Sequence, residues 1–257
     1  MRSASAFAAN RSQVVLAAIL VVLGLSGFLR GDFAPVFDPV PAGIPGRTLL
    51  VYLTCLVFTG SGLALLAARA PAWAAGLLLG TLALWMLAFR VPVILSAPGV
   101  EVSWESCGEI AVMVAGAWVV FASRASDPPA ALQGIAGRGG IRIGRVIFGL
   151  ALIPLGLAHF VYLKETASLV PSWLPAHEGW ARLTGGAYLV AGIAVLTGFW
   201  AARAAALAAL QMAGFTVLVW VPQVASGSAG WGQWSEFLLS GALSSAAWVV
   251  ADSYRTR

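Results

Sequence analysis

The chain has 257 residues, of which 60% are hydrophobic and 10% charged, with a mean hydropathy of +0.89. A water-soluble protein of this length cannot hide so much apolar surface, so composition excludes a soluble globular domain and leaves an integral membrane protein in contact with the lipid bilayer. The net charge of +5 comes from basic residues dispersed among apolar runs, which argues against a nucleic-acid partner and for a topology signal.

A spanning helix needs about 20 mostly apolar residues. Eight segments reach or approach that length, at about 13–29, 48–69, 72–97, 104–123, 145–163, 181–200, 202–224 and 232–250. Arginines precede the first, but its apolar run is long and no A-x-A cleavage pattern follows, so it reads as a retained span. With the N-terminus inside, Arg2, Arg11, Arg69, Arg124, Arg138, Arg142, Arg145, Arg203, Arg255 and Arg257 fall on the inner side. Only Arg30, Arg47, Lys164 and Arg182 fall outside, with Arg90 within the third span. This positive-inside bias predicts a multi-pass membrane protein with both termini cytoplasmic. Cys55 and Cys107 sit in separate apolar segments and form no C-x-x-C, so a dithiol site is not expected.

The sequence repeats itself. Shifting residues 40–123 by 130 brings VPAGIP (Val40–Pro45) onto VPSWLP (Val170–Pro175), Val91-Pro92 onto Val221-Pro222, Trp104 onto Trp234, and AWVV at 117–120 onto AWVV at 247–250. A shift of 132 brings Gly24-Leu25 onto Gly156-Leu157. One register held across prolines, glycines and tryptophans predicts a tandem duplication. The expected fold is all-α and integral to the membrane, with eight transmembrane helices forming two tandem parallel four-helix bundles. The first repeat covers residues 1–123, a Gly-rich basic cytoplasmic linker 124–144, and the second repeat 145–257. Four spans per unit give both halves the same orientation, which disfavours the inverted-repeat transporters. Gly76 and Gly80 form a G-x-x-x-G suited to close helix packing.

Candidate chemistry concentrates in the second half. His159 lies about 6 Å inside the outer end of the fifth span at 1.5 Å per residue, and Tyr162 shares its helix face. Glu236, just after Trp234, is at a similar depth in the eighth span. Above them the VPSWLP segment, with Trp173, and His177 form an expected cap, with Arg182 at the top of the sixth span and Tyr188 about two turns deeper. The first-half counterparts of His159, His177, Trp173 and Glu236 are Gly27, Arg47, Gly43 and Ser106, so the working site is expected in the second half. In the first half, Glu105 and Glu109 share a helix face near Arg90, and a structural carboxylate–guanidinium pair is the favoured reading over a proton path.

A quinone headgroup needs donors to its carbonyls, a flat surface for its ring and a proton carrier. His159, Tyr162, Trp173, His177, Arg182, Tyr188, Trp234 and Glu236 suit that ligand, and equally another amphipathic ligand. The plainer alternative is that His159 bonds a carbonyl or Glu236 and only fixes two helices. No metal site is expected, because no H-x-x-x-H or Met cluster accompanies the two histidines. No phosphate loop, serine elbow or zinc motif is present.

GLAHF (Gly156–Phe160), VPSWLP and LTGGAYLVAG (Leu183–Gly192) together resemble the DoxX-like family of small four-helix bacterial membrane proteins. The resemblance covers about 110 residues, Arg145–Arg255, and reaches the first half only through the repeat. Where the family often has an acidic residue this chain has Tyr188. The family name comes from a subunit of an archaeal thiosulfate:quinone oxidoreductase, so the resemblance implies a quinone-linked or redox-accessory role beside a redox-enzyme partner subunit. His159 would then be headgroup donor or proton carrier, Glu236 its orienting partner, and Trp173 and Trp234 the ring walls. A non-enzymatic scaffold or chaperone that binds a partner's spans is the alternative.

Overall fold

In hydrocarbon no water is present to satisfy backbone N–H and C=O groups, so apolar runs of this length fold as helices that satisfy their own. The computed structural model describes residues 11–41, 43–67, 71–125 and 130–255; Arg2, Arg69, Arg257 and residues 126–129 of the linker lie outside them. The long helices are α1 (Arg11–Arg30), α2 (Arg47–Leu66), α3 (Ala72–Ser96), α4 (Glu101–Arg124), α5 (Gly137–Val161), α7 (His177–Thr197), α8 (Ala201–Ala225) and α9 (Trp231–Asp252), with a short α6 (Leu163–Ser168) after α5. Seven of them are long and apolar enough to cross a membrane, which makes this a multi-pass membrane protein. The exception is α9, which is 22 residues long but carries Glu236, Ser235, Ser240, Ser244 and Ser245.

Two of these helices widen at the same feature. Residues Met86–Arg90 of α3 and Thr216–Trp220 of α8 are π turns, each followed by Val-Pro. Pro92 and Pro222 have no N–H to give and their rings crowd the carbonyl one turn back. The chain responds by opening the turn, and the Val91 and Val221 N–H groups bond the Met86 and Thr216 carbonyls, five residues earlier.

Packing follows chain order within each quartet, α1 on α2 on α3 on α4, then α5 on α7 on α8 on α9. The quartets are not closed separately, as two independent bundles would be. The first and fourth helices of each quartet scarcely meet; instead α1 lies on α9, α5 lies extensively on α4, and α4 and α9 cross in the middle. Small residues make this interlock, because a Cβ on Gly116 would fall 2.8 Å from the Ala246 Cβ. Accordingly α4 is the most enclosed span, 72% buried. Hydroxyls join α9 to α8, where Thr216 bonds Ser240 at 2.7 Å and Ser244 at 2.9 Å.

The paired helices α1–α2 and α5–α7 meet through matching contacts. A Cβ on Gly62 would lie 2.7 Å from the Ala17 carbonyl oxygen, and one on Gly192 would lie 2.8 Å from that of Gly149. The expected G-x-x-x-G crossing does not form: Gly76 makes ordinary contact with Phe121, and a Cβ on Gly80 would meet open space.

Candidate functional site at the lid end of the bundle

Two connections cap the end opposite the linker. The first begins at Gly31, whose φ of 64° turns the chain back over the bundle, and runs to Gly46. Its residues Phe33 to Phe37 are all buried, around a single 3-10 turn at Pro35–Phe37. The Phe37 ring lies 4.7 Å from Trp85 and 5.2 Å from Phe58, and Phe33 lies 4.9 Å from Trp85. This lid is a plug of aromatic side chains driven into the first quartet.

Arg90, at the end of the π turn in α3, anchors it. Only 4% exposed, its guanidinium donates to the Phe37 and Pro39 carbonyls, both at 2.6 Å. Burying a guanidinium is costly unless its donors find acceptors; here two lid carbonyls take the terminal nitrogens, while Nε is buried without a partner. On the lid's rim, Arg47 pairs with Asp32 at 2.8 Å where both are half-exposed, a contact of small energetic weight. Arg30 stacks over Trp231 at 3.6 Å, joining the lid end of α1 to the start of α9.

Below the lid is a row of carboxylates. Glu101, Glu105 and Glu109 recur every fourth residue of α4 and so follow one face over about 12 Å of helix. Glu236 of α9 lies within electrostatic reach of Glu105 and Glu109, and of Asp38 in the lid. Arg90 acts on Glu109 across the same space, yet no ion pair joins any of these glutamates to a cation among the described residues. The expected Arg90–carboxylate pair is thus replaced by the lid carbonyls, which reach the guanidinium first. Both carboxylate oxygens of Glu101 are buried without a hydrogen-bond partner. At the rim, desolvation and the neighbouring Asp32 raise the Asp38 carboxyl above its ordinary value, against the opposing pull of Arg90, Arg30 and Arg47.

The second-half pocket expected from sequence is not assembled in this way. His159 Nδ1 is 2.8 Å from the Leu155 carbonyl oxygen, so this nitrogen carries the proton, and the ring meets buried Tyr188 edge-on at 5.5 Å. Glu236 faces the α4 carboxylates and Asp38, not His159, because α9 sits between α4 and α8 and barely touches α5. Trp173 is 69% exposed and forms no wall. Arg182 pairs with Glu178 along exposed α7 at 3.0 Å, His177 opens that helix, and Tyr162 ends α5 by donating its backbone N–H to the Ala158 carbonyl. Trp234 is half-exposed and edge-on to Phe237 at 6.0 Å. Of the eight residues only His159 and Tyr188 come together, while Glu236 joins the α4 carboxylates and the others stand apart.

The reason lies in two substitutions between the halves. At Gly27 the missing side chain lets the lid backbone descend, and a Cβ there would come within 2.9 Å of the Asp32 carbonyl oxygen. At the corresponding place His159 fills the space and presses its own Cβ against Gly185. Trp220 stands where the repeat puts Arg90, so the second lid also lacks a guanidinium anchor. Compared with protein-family models, curated proteins and solved structures, the chain matches none. Glu105 and Glu109 were read from sequence as one face, but Glu101 one turn earlier, Asp38 and the Phe33–Phe37 plug were not singled out.

Proposed function

We infer that this protein is an accessory subunit of a quinone-linked redox system in the bacterial inner membrane, working at its lid end rather than through His159. In this reading all eight long helices span, in two tandem quartets of the same orientation, with the lids outside and both termini cytoplasmic. Support for the duplication comes from helix starts at Arg47, Glu101, His177 and Trp231, and from the two π turns, all in the register of the sequence repeat. The resemblance of GLAHF, VPSWLP and LTGG to the DoxX-like proteins points the same way.

The carrying observation is the row Glu101–Glu105–Glu109, joined by Glu236 and without a paired cation among the described residues. Carboxylates inside a bundle are costly and mark sites where protons or polar ligands are handled. A quinol docked at the mouth of the row, beside the half-exposed Trp104 and Trp234, would release its protons to these carboxylates as its electrons pass to the partner subunit. Titrating the purified protein with a quinone analogue tests this. Glu105→Gln should weaken binding about tenfold, the weight of one charge-assisted hydrogen bond, whereas His159→Ala should leave binding unchanged. Failure of the wild-type protein to bind any quinone analogue would favour the non-enzymatic scaffold.

A further inference from the structure

The linker end carries a different arrangement. Arg138, Arg142 and Arg145 recur at helical spacing on the first turns of α5 and, with Arg203 at the start of α8, line a cavity of about 960 Å³. Arg145 is committed: it bonds the hydroxyl of Ser253 at 2.9 Å and lies 3.8 Å over the Tyr254 ring. Arg138, Arg142 and Arg203 are exposed and have no ion-pair partner among the described residues.

Beside it an open groove of about 630 Å³ runs between α1, α8 and α9. The two share Ala202, Arg203 and Tyr254, so cationic chamber and groove adjoin. The groove is walled by side chains such as Val15, Ile19, Leu210 and Trp248. Among its hydroxyls, Thr216 and Ser244 bond one another and Ser245 donates to the Ala242 carbonyl, which leaves the wall effectively apolar. Asp252, the carboxylate at its mouth, is turned to Arg255 at 3.4 Å. Both volumes lie in the range of about 300–1,000 Å³ usual for ligand sites.

A soluble phosphate would use the chamber and leave the groove idle, whereas an apolar molecule would use the groove and leave three guanidinium groups unpaired. We propose that this end of the bundle holds an anionic phospholipid, its phosphate among Arg138, Arg142 and Arg203 and one acyl chain in the groove between α1, α8 and α9. Arginine suits the head because its planar fork binds phosphate oxygens in pairs. The site is independent of the carboxylate row at the other end.

The test is lipid retention by the full-length protein, measured by native mass spectrometry after purification with a phosphatidylglycerol and phosphatidylcholine mixture. Wild type should retain phosphatidylglycerol preferentially. Each of Arg142→Gln and Arg203→Gln should lower that retention about fivefold, at about 1 kcal/mol per arginine near an anionic lipid. Ala213→Phe, which fills the groove, should lower it without touching an arginine. Loss in the arginine variants alone, with inorganic phosphate competing and Ala213→Phe silent, would overturn the proposal in favour of a soluble phosphate ligand. Loss in Ala213→Phe alone, or no preference for phosphatidylglycerol, would reduce the groove to ordinary annular lipid and also overturn it.

Discussion

Position 159 holds a histidine and its counterpart 27 a glycine, and that difference in side-chain volume separates the two lids. Gly27 admits the first lid to the interior, where Arg90 grips two of its carbonyls. His159 occupies the equivalent space and satisfies itself on Leu155. From sequence the histidine drew attention as the rarer residue, yet it was the glycine that permitted a buried lid, because an absent side chain leaves no chemical signal. The Asp38 carboxyl gives this lid a pH dependence. Its folded value lies above 3.8, so the native state holds the proton more tightly than the unfolded chain does. Stability from this group is complete at low pH and declines as pH rises from the ordinary carboxylate value through the raised one. Asp38→Asn removes the slope, so in melts taken between acid and neutral pH the stability of Asp38→Asn relative to wild type should rise with pH and then level off. Parallel melting curves would show that Asp38 feels no burial.

At the scale of elements, seven of the eight expected spans and the Val-Pro positions were legible because apolar length and proline act locally. The π turns follow from the same prolines. The lids were read less well. VPSWLP attracted a role as cap through its tryptophan, whereas the segment that plugs the bundle is the one from Phe33 to Phe37. Whether an aromatic in a connection turns in or out depends on the space beneath it, which is a tertiary property. Phe37 is fully buried between Phe58 and Trp85, so Phe37→Ala should cost about 3–5 kcal/mol, the usual effect of truncating an enclosed phenylalanine. Trp173→Ala, on the exposed second lid, should stay within about 0.5 kcal/mol of wild type. Chemical unfolding in detergent measures both, and equal losses would mean that the second lid is also packed inward.

At the scale of the whole molecule, the internal repeat implied two like halves but not how they join. The register that aligns the halves pairs Gly116 with Ala246, and these two residues meet where α4 crosses α9. A pair of corresponding positions in mutual contact is what an approximate two-fold axis through the centre produces. Such an axis would account for the way neither quartet closes on itself: each is completed by the first and fourth helices of the other. Side chains larger than a hydrogen atom have no room at this crossing, since a Cβ on Gly116 would meet the Cβ, the Cα and the carbonyl oxygen of Ala246 within 3.1 Å. Two of those three atoms are backbone, so a rotamer change cannot relieve the contact and α4 must move away from α9. Gly116→Leu should therefore cost at least the 1–3 kcal/mol of typical overpacking, about the upper end or beyond. Gly80→Leu makes the same chemical change where a Cβ meets nothing within 4 Å, and should leave the melting temperature unchanged. If both variants melt alike, α4 and α9 do not form the central crossing, and the two quartets fold as separate bundles after all.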